Sequence, residues 1–381
     1  MISILGIAML ALGLRVYAAN RLDVDADEPV YLSAALDYAN FLRNGQYKML
    51  AWGENTYEHP ALYKIFYGVV LLTQRPIDKF HISDLPRRAP IATTEARDWN
   101  MAGRYLSVSL GTLTVLILAL VNPFAGLFLG INSLSVKYTS EVYLEALPLL
   151  TSLLCALSYL QWYTRIRTNP IDMRKQIVWL ALSSICLGMT AASKYVYSIV
   201  GVAIVVHFMV ALFQKQFPRQ MSVYLLAWAF ASIAMFFLFD PYLWPHPFSR
   251  LVESLLFHIK FQDANIVKVY HYPSYQPLLW LSTFSTLNEL RPASAFIFKI
   301  DQVIFIFAML GLPRLFQKNR LFFYWLTVGL LFLLVWTTKW QQYTLIILVP
   351  FCLSASEGML TLLDFLHKYS SHWMDSLLER Q

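Results

Sequence analysis

The sequence predicts an all-α, polytopic membrane protein of about ten transmembrane helices, and three observations carry that prediction. Of its 381 residues 57% are hydrophobic and only 14% are charged, whereas a soluble domain is about a quarter charged. Apolar runs recur along the chain, each close to the roughly 20 residues that cross a bilayer core, and mean hydropathy is +0.50. Lysine and arginine also alternate between successive turns as a topology signal does. The net charge of +7 is therefore read as topology, and no nucleic-acid partner is predicted. Cys155, Cys186 and Cys352 lie inside apolar runs with spacing unlike that of metal ligands, so no disulfide framework is implied.

The expected spans are 1–19, 99–120, 122–137, 143–164, 177–193, 196–213, 221–239, 296–312, 321–337 and 341–357. In the first, Val16-Tyr17-Ala18 loosely resembles a signal-peptidase site. There is no basic stretch before the apolar run and Arg15 interrupts its end, so a retained span is preferred. Span 122–137 is short and holds Asn132, Ser133 and Ser135. Three turns carry Arg165, Arg167, Arg174 and Lys175, then Lys215 and Arg219, then Arg314, Lys318 and Arg320, opposed only by Asp172. The alternate turns hold one lysine each, Lys137, Lys194 and Lys339. The positive-inside rule then places both termini in the cytoplasm of a multi-pass cell-membrane protein. Residues 1–357 are expected to form one membrane domain with external loops at 20–97 and 240–295, and 358–381 a cytoplasmic tail with no soluble domain.

The first loop opens with Asp23-Val24-Asp25-Ala26-Asp27-Glu28, four carboxylates in six residues. Pro29 suits a first helical turn, which has no intrahelical partner for its N–H. Behind it Tyr31, Ala34, Ala35, Tyr38 and Leu42 share one helical face, and Ser33, Asp37, Asn40 and Asn44 the other. Asp27 and Glu28 thus sit at a helix N-terminus, where dipole and free N–H groups favour carboxylates. A second helix is expected from Pro60 to about Thr73, lying in the interface after Glu58 and His59. Residues 75–97 read as a loop.

These features share the outer face with Lys137-Glu141, Lys194-Tyr195, the loop Asp240–Pro292 and Lys339 to Tyr343. Cations there can bind a phosphate while a carboxylate activates a nucleophile. Each element also has a plainer explanation. Acids favour helix starts regardless of chemistry, and single lysines at helix ends snorkel to the interface. Glu58 and His59, adjacent and diverging, need a third ligand such as His246, His258 or His271 to chelate, so no metal is predicted. Between Arg250 and Lys260, Leu251, Leu255, Phe257 and Ile259 form a helical stripe with Arg250, Glu253, His258 and Lys260 as polar partners. It suits either a helix capping the site or one packed on the membrane surface.

Taken in order, Asp27-Glu28-Pro29-Val30-Tyr31, a helix ending near Asn44-Gly45 and Tyr57-Glu58-His59-Pro60-Ala61-Leu62 resemble the first external loop of GT-C glycosyltransferases. Protein O-mannosyltransferases and aminoarabinose transferase-like enzymes of family 39 and its neighbours are the nearest types. Gly103-Arg104-Tyr105-Leu106-Ser107 resembles their next span, and Lys339-Trp340-Gln341-Gln342-Tyr343 with Pro350 their late Lys-x-x-x-Tyr…Pro element. The resemblance implies inverting transfer, on the non-cytoplasmic face, from a polyprenyl-phosphate-linked hexose or pentose to a hydroxyl of a protein, lipid or glycan. It implies Asp27 as base, although Asp25 and Glu28 lie within one turn. Glu58, His59, Arg104, Lys194, Lys339 and Tyr343 are the substrate-binding candidates, and no cofactor is required. His59-Pro60-Ala61 departs from the usual Pro-Pro or Lys-Pro-Pro, removing a basic residue that some relatives place at the phosphate. The competing class is a transporter or flippase, which needs charges or helix breaks deep in paired spans. Asp301 is the one acid so placed, and no inverted repeat stands out. A non-catalytic scaffold would leave the outer-face cluster without a purpose.

Overall fold

The computed structural model describes residues 3–53, 57–74, 94–168, 173–282 and 300–378. All helices and no strands occur among them, eight of the helices long and apolar enough to cross a membrane. These eight coincide with eight of the ten expected spans. Residues 75–93 and 283–299, with parts of the expected loops and the start of span 296–312, lie outside the described residues, as does Asp172.

Helix α1 (Ile4–Arg21) is part of the core. Arg15, which interrupts its apolar run, is 0% exposed. It donates from Nε to Thr139 Oγ1 (2.8 Å), from Nη2 to Ser135 Oγ (2.7 Å) and from Nη1 to the Gly130 carbonyl (3.2 Å). A guanidinium within a span must meet its donors inside the protein, and those acceptors do so.

Helix α2 (Glu28–Arg43) has Pro29 in its first turn and stops where Gly45 takes φ +66°, letting the Gln46 N–H return to the Phe41 carbonyl at 2.8 Å. Its expected polar face is only partly present, because Ser33 is buried along with Tyr31, Leu32, Ala34 and Ala35. The reason is close packing against α3 (Leu62–Leu71). A Cβ on Gly68 would meet Tyr38 Cβ at 2.8 Å and the Ala35 carbonyl at 2.9 Å. The α2–α3 pair is thus embedded in protein along that side rather than lying on it.

Helix α4 (Thr94–Val121) is followed by an expected span that is not continuous. Asn132 adopts extended backbone and divides 122–137 into α5 (Pro123–Ile131) and α6 (Ser133–Tyr138). Its Oδ1 accepts the Ser135 N–H (3.0 Å) and its Nδ2 donates to Asp301 Oδ1 (2.9 Å). An asparagine side chain that bonds nearby backbone favours a cap over a helix interior. Neither piece approaches the roughly 20 residues needed to span.

Helices α7 (Ala146–Thr168), α8 (Met173–Ser193), α9 (Ile199–Phe213) and α10 (Ser222–Phe239) follow. α10 turns Phe230 and Ile233 outward, 72% and 52% exposed, as a lipid-facing helix does. Then come α11 (Pro247–Phe261), α12 (Asn265–Tyr270) and α13 (Gln276–Ser282). In α11 Phe248, Val252, Leu255, Leu256 and Ile259 are exposed alongside Glu253 and Lys260, whereas Arg250 and Ser254 are buried. Large exposed apolar side chains beside exposed charges fit a helix lying on the hydrocarbon boundary.

Helix α14 (Ile300–Lys318), α15 (Arg320–Val335) and α16 (Leu348–Leu378) complete the bundle. α15 corresponds to the expected span 321–337, shorter at 16 residues. α14 and α16 cross at glycines, since a Cβ on Gly311 would overlap the Ser354 carbonyl and one on Gly358 that of Phe307. Small residues allow such backbone approach between membrane helices. The three cysteines are buried and free.

Candidate active site

The acidic cluster lies at one end of this bundle, and its members have separate surroundings. Glu28 is 0% exposed and accepts from Arg104 Nη2 (2.5 Å) and Nε (2.9 Å), the Val142 N–H (2.7 Å), the Asp25 N–H (3.1 Å) and Asn100 Nδ2 (3.4 Å). Arg104 spends its other N–H groups on the carbonyls of Ala19, Leu22 and Asp23. The pair joins the end of α1, the start of α2, α4 and the turn before α7. Neither residue lines the cavity described next.

Asp25, Asp27, Tyr31, Glu58, His59, Lys137, Lys194 and Tyr343 line one cavity of about 350 Å³, together with aromatic residues from α11 to α13. Asp25 accepts from Lys137 Nζ (3.1 Å) and Tyr143 Oη (2.6 Å). Burial pushes its carboxyl up, but these two partners outweigh it and hold the carboxyl below the ordinary value. Asp27 enters no ion pair among the described residues. Burial, then the charges of Asp25 and Glu58, raise its carboxyl to about 6 against the opposing pull of Lys194. It stays ionised near neutrality yet binds a proton readily, which suits a base.

Lys194 follows α8 and pairs with Glu145, which precedes α7. Their contact closes the α7–α8 hairpin at the end opposite Arg167 and Arg174. Lys194 also stands over the Tyr343 ring, 5.3 Å from its centroid. An ammonium has three donors, so one pairing leaves Lys194 able to bind an anion in the cavity. The second oxygen of Glu145 and the Tyr197 hydroxyl are buried with no hydrogen-bond partner among the described residues.

Glu58 and His59 are carried on the turn before α3. Asp240 Oδ1 holds that turn by accepting the Ala61 N–H at 3.1 Å, and burial raises the Asp240 carboxyl to about 7. Burial first and then Lys194 lower the His59 imidazole, and the same causes lower His258, so both are neutral near pH 7. Their rings face each other at 5.4 Å between centroids. His246 and His271 do not line the cavity, and no group of three His, Cys, Asp or Glu among the described residues is placed to hold a metal ion. Lys339 also lies outside the cavity lining, since its Nζ donates to the carbonyls of Leu333 (2.9 Å) and Trp336 (2.6 Å) and caps α15.

The structure thus brings together Asp27, Glu58, His59, Lys194 and Tyr343 and sets apart Glu28, Arg104 and Lys339. Tyr143, Glu145 and Asp240 are further polar groups at or behind the cavity to which sequence reasoning gives no role, and His258, which it offers as a third metal ligand or a polar partner on the 250–260 stripe, lines the cavity. Glu145 had a usable signal: an acid and a lysine at the same end of one predicted hairpin. The opposite end gathers the basic turns, where Arg320 donates to Gln214 (2.8 Å) and Tyr163 to Gln216 (2.6 Å).

No protein-family model and no curated protein sequence matches this chain. Solved structures do. ArnT from Cupriavidus metallidurans bound to undecaprenyl phosphate aligns with TM-score 0.56 and 12% identity over 93% of this chain and 59% of that one. The archaeal oligosaccharyltransferase AglB from Archaeoglobus fulgidus, in complex with an inhibitory peptide and a dolichol-phosphate, aligns with TM-score 0.57 and 12% identity over 97% and 51%. A chain of the Saccharomyces cerevisiae protein O-mannosyltransferase Pmt1–Pmt2 complex, bound to the sugar donor, aligns with TM-score 0.43 and 21% identity over 67% and 33%. This chain therefore spans between a third and three-fifths of the length of the solved chains it matches. Over nearly its whole length the chain shares the fold of ArnT and AglB.

Proposed function

We propose that the protein is a membrane glycosyltransferase that moves a sugar from a polyprenyl-phosphate-linked donor to an acceptor hydroxyl on the non-cytoplasmic face. The observation that carries this reading is Asp27, a carboxylate raised to about 6 and outside any described ion pair, in a cavity shared with Lys194 on a GT-C fold. The undecaprenyl phosphate and dolichol-phosphate in the two solved neighbours support the donor class. Basic turns collected at the opposite end of the bundle support the orientation, with both termini cytoplasmic.

In the proposed step Asp27 takes the proton of the acceptor hydroxyl as its oxygen attacks the anomeric carbon. The carbon–oxygen bond to phosphate breaks, and polyprenyl phosphate leaves with the electron pair. Lys194, and Lys137 beyond its bond to Asp25, stabilise the phosphate charge. Tyr343 supplies a hydroxyl beside Lys194, and neutral His59 and His258 add polar contacts without competing for the anion. No cofactor takes part in these steps. Among the described residues no set of side chains argues for a metal.

Attack on one face with departure from the other inverts the anomeric centre. Purified protein in lipid nanodiscs, supplied with a panel of polyprenyl-phosphate sugars, is expected to give a product of opposite configuration by NMR. A retained configuration would overturn the single displacement. The pH profile follows from the sign of the Asp27 shift. A base is active only when deprotonated, so turnover should hold above pH 6 and fall about tenfold per unit below it. A profile that stays level down to pH 4 would remove Asp27 from the role.

The transporter reading has less to stand on. Asp301, its one deep acid, accepts from Asn132 Nδ2 (2.9 Å) and the Ser133 N–H (3.1 Å) and pins the α5–α6 break.

A further inference from the structure

The proposed chemistry uses the charged residues of the cavity and leaves a second set of lining residues without a role. These are Tyr270, Tyr272, Trp280, Trp340 and Gln342, from α12, α13 and the turn before α16. The rings of Tyr270 and Tyr272 stack at 5.4 Å and 12° although only one residue separates them. That residue, His271, makes the arrangement by taking φ 38° and ψ 48°. Side-chain-bearing residues adopt such backbone rarely and at a cost in free energy, and ligand clamps are among the places where it occurs. Trp280 meets Tyr272 edge-on at 5.2 Å and 77°, and Trp340 meets Tyr270 edge-on at 5.7 Å and 82°. Tyr270 nevertheless remains 47% exposed.

The shape and charge of this surface restrict what it can take. Two near-parallel phenol rings supported at their edges make a flat shelf. A cation would be held better by ring faces converging on a point. The shelf residues are themselves uncharged, and the two lysines of the cavity stand over other rings, Lys137 over Tyr138 and Lys194 over Tyr343, so the shelf supplies no charge of its own for an anion. It offers ring faces, and beside them the half-buried Gln342 offers a planar amide. The C–H face of a pyranose complements the negative face of an aromatic ring, and its hydroxyl rim matches an amide that both donates and accepts. Hydrocarbon alone would leave the Gln342 amide unmatched.

We propose that Tyr270, Tyr272, Trp340 and Gln342 form a subsite for a neutral pyranose ring, and that this ring belongs to the acceptor, so that the hydroxyl presented to Asp27 is that of a saccharide. Ring binding stands on the shelf alone. Its assignment to the acceptor rests on the transferase reading above.

The test separates the two. The full chain in nanodiscs is titrated, without donor, with maltose and cellobiose, a serine- and threonine-containing peptide, choline and glycerol. Saturation-transfer NMR reads binding. The disaccharides are expected to bind saturably, about tenfold more weakly to Tyr270→Ala and Trp340→Ala, and near wild type to Tyr270→Phe, which keeps the ring. Because Tyr270 is half exposed, its truncation leaves the core intact. Disaccharide binding no better than glycerol, or unchanged in Tyr270→Ala, overturns the subsite, and stronger binding of choline or peptide overturns its class. Donor turnover is then measured with and without disaccharide. Glycosylated disaccharide supports the acceptor assignment, and competitive inhibition of donor hydrolysis overturns it in favour of the donor's own ring. Disaccharide binding with no turnover of any donor would count against the transferase reading and the acceptor assignment while leaving the ring site standing. Turnover onto water or peptide without disaccharide binding would do the reverse.

Discussion

Asp27→Asn is expected to lower sugar transfer by about a hundredfold or more, the size associated with a positioned general base. Asparagine keeps the shape and the hydrogen-bonding reach of aspartate but accepts no proton at any working pH. The neighbouring acids have surroundings that keep them from standing in. Asp25 is held low by Lys137 and Tyr143, so it is the weaker base. Glu28 has both oxygens bound to Arg104 and lies outside the cavity lining. Donor turnover in nanodiscs, with folding followed by size-exclusion chromatography, decides the matter. The control is thermal stability. A carboxyl whose folded-state value is raised above the ordinary one disfavours folding as pH rises through the interval between the two values, up to about 6. Asp27→Asn at pH 7 should therefore melt no lower than wild type. Equal turnover in wild type and variant would move the base elsewhere while leaving the fold intact.

The largest expected loss of stability belongs to Glu28→Ala. It strands the Arg104 guanidinium, 3% exposed, without its carboxylate. Removing one partner of a buried pair costs about 3–5 kcal/mol, because the remaining charge is uncompensated. It also orphans the Val142 N–H that Glu28 accepts at 2.7 Å. Glu28→Gln, which keeps the shape and an acceptor oxygen, should lose less. Thermal unfolding in detergent, read by intrinsic fluorescence, would show a graded fall from wild type to Glu28→Gln to Glu28→Ala. A Glu28→Ala melting temperature equal to wild type would show that the pair does not hold α1, α2 and α4 together.

These two residues are adjacent in sequence and opposite in fate, which shows where sequence reasoning stopped. The Asp-Glu pair stood out as chemistry at a helix start, and the helix is there, with Pro29 in its first turn. Which carboxylate faces the cavity depends on Arg104, 76 residues away. Lys194 and Lys339 presented the same signal, a lone lysine in a turn on one face, and part in the same way. One meets Glu145 beside the cavity, and the other folds back onto its own helix end. His271 looked like a spare metal ligand, yet the structure uses its backbone, to turn two tyrosines into a stack.

By itself the sequence determined that the chain is helical and membrane-embedded, where eight of its spans run, and which end of the bundle collects the basic residues. Those properties follow from local composition: the length of an apolar run, the charge of a turn, a proline at a helix start. Only the tertiary structure decided that 122–137 breaks at Asn132, that Arg15 is a core residue, that Glu28 is bound by Arg104 while Asp27 lines the cavity, and that α11 exposes apolar residues while burying Arg250. Each of these depends on a partner far along the chain, Asp301 for Asn132, Thr139 for Arg15, Arg104 for Glu28. A buried polar group must find its partners wherever the fold brings them, and that pairing is not written in any local pattern.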